Sequence, residues 1–133
     1  MADALELTIL TPEKQFFKGK VKLVKSESSL WGFEILSNHV PMITVLKPSI
    51  TEFTDLDGKN YKAFTSTGTL EVRNNKVVIL CDSCEWPEDI DKVRAEAAKE
   101  RAEKRLKEKE GQIDADRAKL ALVRAITRLK IKS

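Results

Sequence analysis

From Leu5 to Asp82 apolar and polar residues alternate in short runs, as in LELTILT, KVKLVKSE and YKAFTST. Alternation with a period of two puts successive side chains on opposite faces of an extended chain, the signature of half-buried strands. Breaks fall at Pro12, Gly19, Gly32, Pro41, Pro48, the turn around Gly58, and Asn74-Asn75. Asn tolerates positive φ, so Asn74-Asn75 between EVR and KVVIL predicts a two-residue hairpin. Several short strands at this spacing predict an antiparallel β-sandwich or barrel. Its expected core is Val21, Leu23, Ile35, Leu36, Ile43, Val45, Leu46, Phe64, Leu70, Val72, Val77, Val78, Ile79 and Leu80.

After Pro87 the pattern changes to a helical one. Ala95, Ala98, Ala102 and Leu106 recur at helical spacing, and so do Ala118, Leu122, Ala125, Ile126 and Leu129. Gly111 separates the two runs, as glycine does where helices end. Pro87 with Glu88, Asp89 and Asp91 marks the start of the first helix, and Asp114 and Asp116 that of the second. The fold class is therefore α+β, with a sandwich over 1–86 followed by an antiparallel two-helix hairpin over 87–133. Alanine removes little apolar area from water, at about 25 cal/mol per Å². A seam lined by Ala closes weakly and suits an arm that can be released.

The net charge of +3 divides unevenly. Residues 1–87 hold 10 Lys and Arg against 11 Asp and Glu (−1), whereas residues 88–133 hold 14 against 10 (+4). No acid follows Asp116, while Arg117, Lys119, Arg124, Arg128, Lys130 and Lys132 do. This basic rod suits an acidic protein surface, a polyphosphate or nucleic acid. No apolar run approaches the roughly 20 residues that span a bilayer. The N-terminus lacks the basic region of a secretory signal. Two close cysteines make no disulfide framework, which points to the cytoplasm.

Catalytic chemistry finds little support. Cys81-Asp82-Ser83-Cys84 is a CxxC, but the pair closes a strand instead of opening a helix, so idle buried thiols are expected. His39, the one histidine, has no second ligand or triad partners beside it. One cluster suits a nucleotide. Asp91 and Arg94 share a face of the first helix, and Arg117, Arg124 and Arg128 share one of the second. Against this stands the ordinary solvated, salt-bridged helix pair.

Four stretches together resemble the epsilon subunit family of F-type ATP synthases over the whole chain. LTPEKQFFKGKVKLV resembles the family's opening strand pair. The segment from Trp31 to Leu46, with Ile35-Leu36, His39, Pro41 and Met42, resembles its G-x-x-G-I-L-P-x-H-x-P-L loop. TSTGTLEVRNNKVVIL carries Gly68, Glu71 and Val72 of a second motif. EDIDKVRAEAAKERAEKRL carries Ile90, Asp91, Arg94 and Ala95 of the I/L-D-x-x-R-A signature. Glu34, Ser37 and Asn38 depart from the loop motif, and Cys81 and Cys84 replace small residues.

The resemblance implies a sandwich of about ten strands that binds the gamma subunit and the ring of c subunits. It implies a non-catalytic central-stalk subunit, peripheral on the cytoplasmic face of a bacterial inner membrane, that couples proton-driven rotation to ATP synthesis. Trp31, Glu34, Ser37, Asn38, His39 and Pro41 would form the rotor contact loop. The hairpin would inhibit ATP hydrolysis, with Arg117, Arg124 and Arg128 directed toward a beta subunit of the alpha/beta hexamer. No cofactor is obligatory, but a regulatory ATP would bind at Asp91, Arg94, Arg124 and Arg128. The alternative is a stand-alone nucleic-acid-binding protein using the basic helix, although that helix carries no aromatic for base stacking.

Overall fold

The computed structural model describes residues 4–28, 30–108 and 112–133, and the side chains of 112–114 lie outside the description. The chain divides into two compact units, residues 1–85 and 86–133. The turn expected at Gly111 and the acid at Asp114 fall outside the described residues.

In the first unit nine strands form one continuous hydrogen-bonded ladder. They are β1 (Leu5–Leu10), β2 (Gln15–Glu27), β3 (Gly32–Leu36), β4 (Met42–Leu46), β5 (Ser49–Asp55), β6 (Asn60–Thr65), β7 (Gly68–Arg73), β8 (Lys76–Cys81) and β9 (Cys84–Glu85). The spatial order is β4-β7-β8-β1-β2-β5-β6-β9, with β3 on β2. The count is nine among the described residues, against about ten expected. One pair is parallel: β1 lies beside β8, with Leu7 opposite Val77 and Ile9 opposite Ile79. All other ladders are antiparallel, as the alternation predicts. The thirteen-residue β2 holds the assembly together. Its first half pairs with β1, and its second half with β5 on one edge and β3 on the other.

The predicted turns form. Asn74 and Asn75 have φ of 51° and 60°, the left-handed pair that a two-residue hairpin needs, and Arg73 lies opposite Lys76. In the β5–β6 turn Gly58 has φ 88°. The Asp55 carboxylate accepts from the backbone N–H groups of Lys59 and Asp57 and from the Tyr61 hydroxyl. The Lys59 N–H above all holds the Asp55 carboxyl below its ordinary range.

The core is filled by alternate residues of each strand: Leu5, Leu7 and Ile9, then Val21 and Val24, Phe53, Phe64, Leu70, Val72, Val77 and Ile79. This corrects the expected core in one respect. Leu36, Ile43, Val45 and Leu80 are exposed and Leu23 and Val78 half-buried. Successive side chains of a strand face opposite sides of the sheet, and in the VVIL run of β8 the alternate residues Val78 and Leu80 turn away from this core. The core also holds hydroxyls. Ser26 Oγ lies 2.9 Å from Thr51 Oγ1, which lies 2.7 Å from Thr65 Oγ1. All three residues are buried, and the chain of hydroxyls satisfies groups that would otherwise cost about 1–3 kcal/mol each.

In the second unit the first helix starts later than its acids suggest. Pro87–Asp89 is a 3-10 turn, Ile90 is extended and buried, and α1 spans Lys92–Glu108. The Asp91 carboxylate accepts from the Arg94 N–H at 3.1 Å, and the Asp91 carbonyl from the Ala95 N–H. Asp91 is thus the N-cap of α1. The second helix, α2, spans Gln112–Lys132 and packs along α1. Ala95 and Ala102 on α1, and Ala118 and Ala125 on α2, are buried. The seven-residue spacing in each helix is a seam of methyl groups, as expected from the sequence. Leu106, Leu122 and Leu129 are half-buried at its margins, and Ile126 is exposed. Among the described residues no helix is long and apolar enough to cross a membrane.

Candidate functional site

Two surfaces, one on each unit, collect the residues singled out by the sequence. On the sandwich the segment Trp31–Pro41 is not one loop. Its middle, Gly32–Leu36, is strand β3, with Glu34 opposite Lys25 of β2. Trp31 precedes this strand, whereas Ser37, Asn38, His39 and Pro41 follow it. At about 3.3 Å per residue the two ends lie roughly 20 Å apart. The structure therefore brings Ser37–Pro41 together, but not Trp31.

Each end is held by a residue outside the segment. At the first, the Ser28 hydroxyl accepts from the Leu30 and Trp31 N–H groups and donates to the Trp31 carbonyl. This local turn fixes Trp31 with 65% of its surface in solvent. At the second, Asn75 Oδ1 accepts from the Asn38 N–H at 2.6 Å. Asn38 itself has φ 65°, so the β7–β8 turn braces a left-handed residue in the β3–β4 turn. Asn38, His39, Pro41, Asn74 and Asn75 together line a shallow concavity of about 430 Å³. His39 Nδ1 lies 2.7 Å from the Val40 carbonyl oxygen. A carbonyl only accepts, so Nδ1 carries the proton there. The Asn74-Asn75 dipeptide was the only signal for the brace, and nothing in it points to a residue so far away in the chain.

Around these turns apolar side chains face outward: Leu30, Trp31, Leu36 and Val40, with Ile43 and Val45 on β4 and Leu80 on β8. Ile43 is opposite Glu71 and Val45 opposite Thr69, while Thr69 is also opposite Leu80. Val45 and Leu80 therefore lie on one outer face, two strands apart. Leu30 and Trp31 lie at the opposite end of β3 from Val40, so the shared apolar face is that of Ile43, Val45 and Leu80, and an exposed face of this kind suits a protein contact.

On the helical unit, Lys132 Nζ donates to the Pro87 carbonyl at 3.0 Å, which ties the end of α2 to the 3-10 turn. The helices are antiparallel, so Arg128, one turn back, shares this end with Asp91 and Arg94. Arg124 follows one turn further in. Arg117 is eleven residues before Arg128, about 16 Å along the axis, and belongs to a different part of the surface. Arg94 and Arg117 are exposed. Arg124 and Arg128 are half-buried and already engaged with other groups of the chain. The Asp91 carboxylate is committed to its cap, a role the acid-rich start of the helix hid among the three acids Glu88, Asp89 and Asp91. Among the described residues no group of three or more His, Cys, Asp and Glu side chains is placed to hold a metal.

The family model described as ATP synthase, Delta/Epsilon chain, beta-sandwich domain matches residues 4–87, and its long alpha-helix domain matches residues 88–133. The chain is 52% identical over 131 residues to the ATP synthase epsilon chain of Clostridium kluyveri, covering 98% of each. It is 54% identical over 132 residues to that of Clostridium botulinum, covering 99% of this chain and 98% of the other. The fold is similar to a chain of the Euglena gracilis mitochondrial ATP synthase, with TM-score 0.85 and 19% identity over 96% of this chain and 80% of that one. It is also similar to a central-stalk chain of the Tetrahymena thermophila mitochondrial enzyme, with TM-score 0.65 and 13% identity over 97% and 96%. With both domains matched in order and half the residues shared with full-length relatives, the chain belongs to the ATP synthase delta/epsilon family.

Proposed function

We infer that this chain is a non-catalytic rotor subunit of the F-type ATP synthase. Full-length identity to chains named ATP synthase epsilon chain carries the reading. It leaves the stand-alone nucleic-acid-binding alternative without support. The sandwich, taken as residues 1–86, is its docking domain. Ser37–Pro41 with the Asn74-Asn75 turn meets the ring of c subunits, and the outward apolar side chains of β4 and β8 suit the gamma subunit. The complex holds the chain at the cytoplasmic face of a bacterial inner membrane, where it couples proton-driven rotation to ATP synthesis.

The hairpin, residues 87–133, is the regulatory part. Its seam of Ala95, Ala102, Ala118 and Ala125 buries little and so opens at low cost. Once open, the basic face of α2 with Arg117, Arg124 and Arg128 meets acidic segments of a beta subunit and blocks rotation in the hydrolysis direction. Removing residues 88–133 should leave a subunit that assembles and a complex relieved of inhibition. An enzyme just as inhibited without them would sink the arm.

A regulatory ATP at Asp91, Arg94, Arg124 and Arg128 is the finer reading, favoured by the meeting of both helix ends there. Backbone NMR during ATP titration tests it. Saturable shifts centred on those residues, lost in Arg94→Ala and Arg128→Ala, would support it. No shifts up to millimolar ATP would leave the arm to rotation and partner contacts alone.

A further inference from the structure

We propose that the outer face of the β7–β8 hairpin holds a phosphate monoester, supplied free or as a lipid headgroup, between Arg73 and Lys76. The two residues are directly opposite each other across the Asn74-Asn75 turn, so their side chains leave the same face of the ladder. Like charges set opposite in this way repel, and an anion bound between them replaces the repulsion with attraction. Both side chains are exposed, and neither is ion-paired among the described residues.

The strand register supplies the rest of the site. Glu71, two residues before Arg73, shares its side of β7 and is opposite Val78 of β8. Glu71, Arg73, Asn74, Lys76 and Val78 together line a concavity of about 260 Å³. The Asn74 side chain has no hydrogen-bond partner among the described residues, so its amide group is left for a ligand. Beyond β8 the same face continues. Lys76 is opposite Glu6 of β1, Glu6 is opposite Lys20 of β2, and Thr8 is opposite Lys18. Four cations thus accompany two carboxylates on this face, although acids outnumber bases across residues 1–87.

The chemistry of these groups selects the anion. A guanidinium offers parallel N–H donors to two oxygens of one phosphate, and an ammonium adds a compact charge at a third. Glu71 is the discriminating group. A carboxylate accepts hydrogen bonds and donates none, so it repels an anion whose oxygens are all bare. A phosphate monoester has its second pKa at about 6 and still carries a proton there. Its P–O–H donates to Glu71 while its other oxygens accept from Arg73 and Lys76. Sulfate and a phosphodiester have no such proton to give.

The test titrates the folded full-length chain with inorganic phosphate at about pH 6, read by the amide resonances of Arg73, Asn74 and Lys76. Phosphate should shift them saturably. Sulfate at equal ionic strength should bind about ten-fold more weakly, the worth of one charge-assisted hydrogen bond. Arg73→Gln and Lys76→Gln should each weaken phosphate by about ten-fold. Glu71→Gln should bring sulfate up to phosphate, since a Gln amide both donates and accepts. All three positions are exposed, so the variants keep the fold. Flotation with phosphatidylcholine vesicles carrying phosphatidic acid separates the sources. Capture that is lost in Arg73→Gln would make the lipid headgroup the ligand, and phosphate shifts without capture would make it a free monoester. No saturable shift, equal affinity for sulfate and phosphate, or unchanged shifts in the two cation variants would overturn the proposal. No partner subunit enters the measurement, so its outcome is independent of the rotor reading.

Discussion

In the sandwich the fully buried positions are taken by Leu5, Ile9, Phe53, Phe64 and Ile79, whereas the buried residues described within α1 and α2 are Ala95, Ala102, Ala118 and Ala125. Full burial of a large apolar side chain is worth about 1.5–3 kcal/mol, and a single methylene about 0.8. Two units of one chain are thus closed by the same force at different strengths. The larger one has a core that must be dismantled, while the smaller has a seam that can part. In the function proposed above, the platform has to keep its shape through every turn of a motor, and the arm has to change its own.

The sharpest way to break the comparison is at Gly68. A Cβ there would lie 2.1 Å from the Leu80 carbonyl oxygen and 2.7 Å from Cys81 Cα, both backbone atoms that cannot step aside. Gly68→Ala should cost more than about 4 kcal/mol and abolish the cooperative urea transition of the sandwich. A wild-type midpoint would mean the corner is far softer than its geometry. Next comes a matched pair. Phe53→Ala should cost about 3–5 kcal/mol. Leu106→Ala, at the half-buried margin of the seam, should cost under about 1 kcal/mol. Amide exchange should likewise show α1 and α2 opening at lower free energy than β1, β2 and β5. Equal costs would erase the distinction between platform and arm.

A smaller effect separates two roles of Asp91. Asp91→Ala should lose about 1 kcal/mol of helix stability, measured by thermal circular dichroism, and Asp91→Asn should keep most of it because its side-chain oxygen still caps. If Asn were as harmful as Ala, the charge and not the cap would be the important feature. The smallest effect on stability should come from Asn75→Gly, which keeps the positive φ but removes the acceptor from the Asn38 N–H. The Asn38 amide resonance should shift and exchange faster, whereas Asn75→Asp should retain the bond. An unmoved resonance would show that the β3–β4 turn holds itself.

Much of this arrangement was legible in the sequence. Alternation gave the strands, Asn74-Asn75 the hairpin turn, and the helical spacing of small residues the seam, because each is a local rule that tertiary packing respects. The choice of face was less legible. Ile43, Val45 and Leu80 read as core and turned out exposed, since strand hydrophobicity does not say which side is covered by a partner. The start of α1 was misread by a few residues, because Pro87–Asp89 satisfies itself as a 3-10 turn before Asp91 can cap. The brace from Asn75 to Asn38 was not legible at all: it joins two turns that only the folded sheet brings together.

The parallel ladder between β1 and β8 also sets an order of events in time. β1 is made before the other strands of the sandwich, yet its partner on one side, Lys76–Leu80, follows only after six of them. Until then one edge of β1 stays open, and closing it means bringing together chain ends separated by most of the domain, which slows folding. The helical hairpin, built from neighbours in sequence, has no such wait. The helical unit, made after the sandwich, is therefore expected to fold faster than it, and the platform's rate of folding is governed by how soon its first strand meets its eighth.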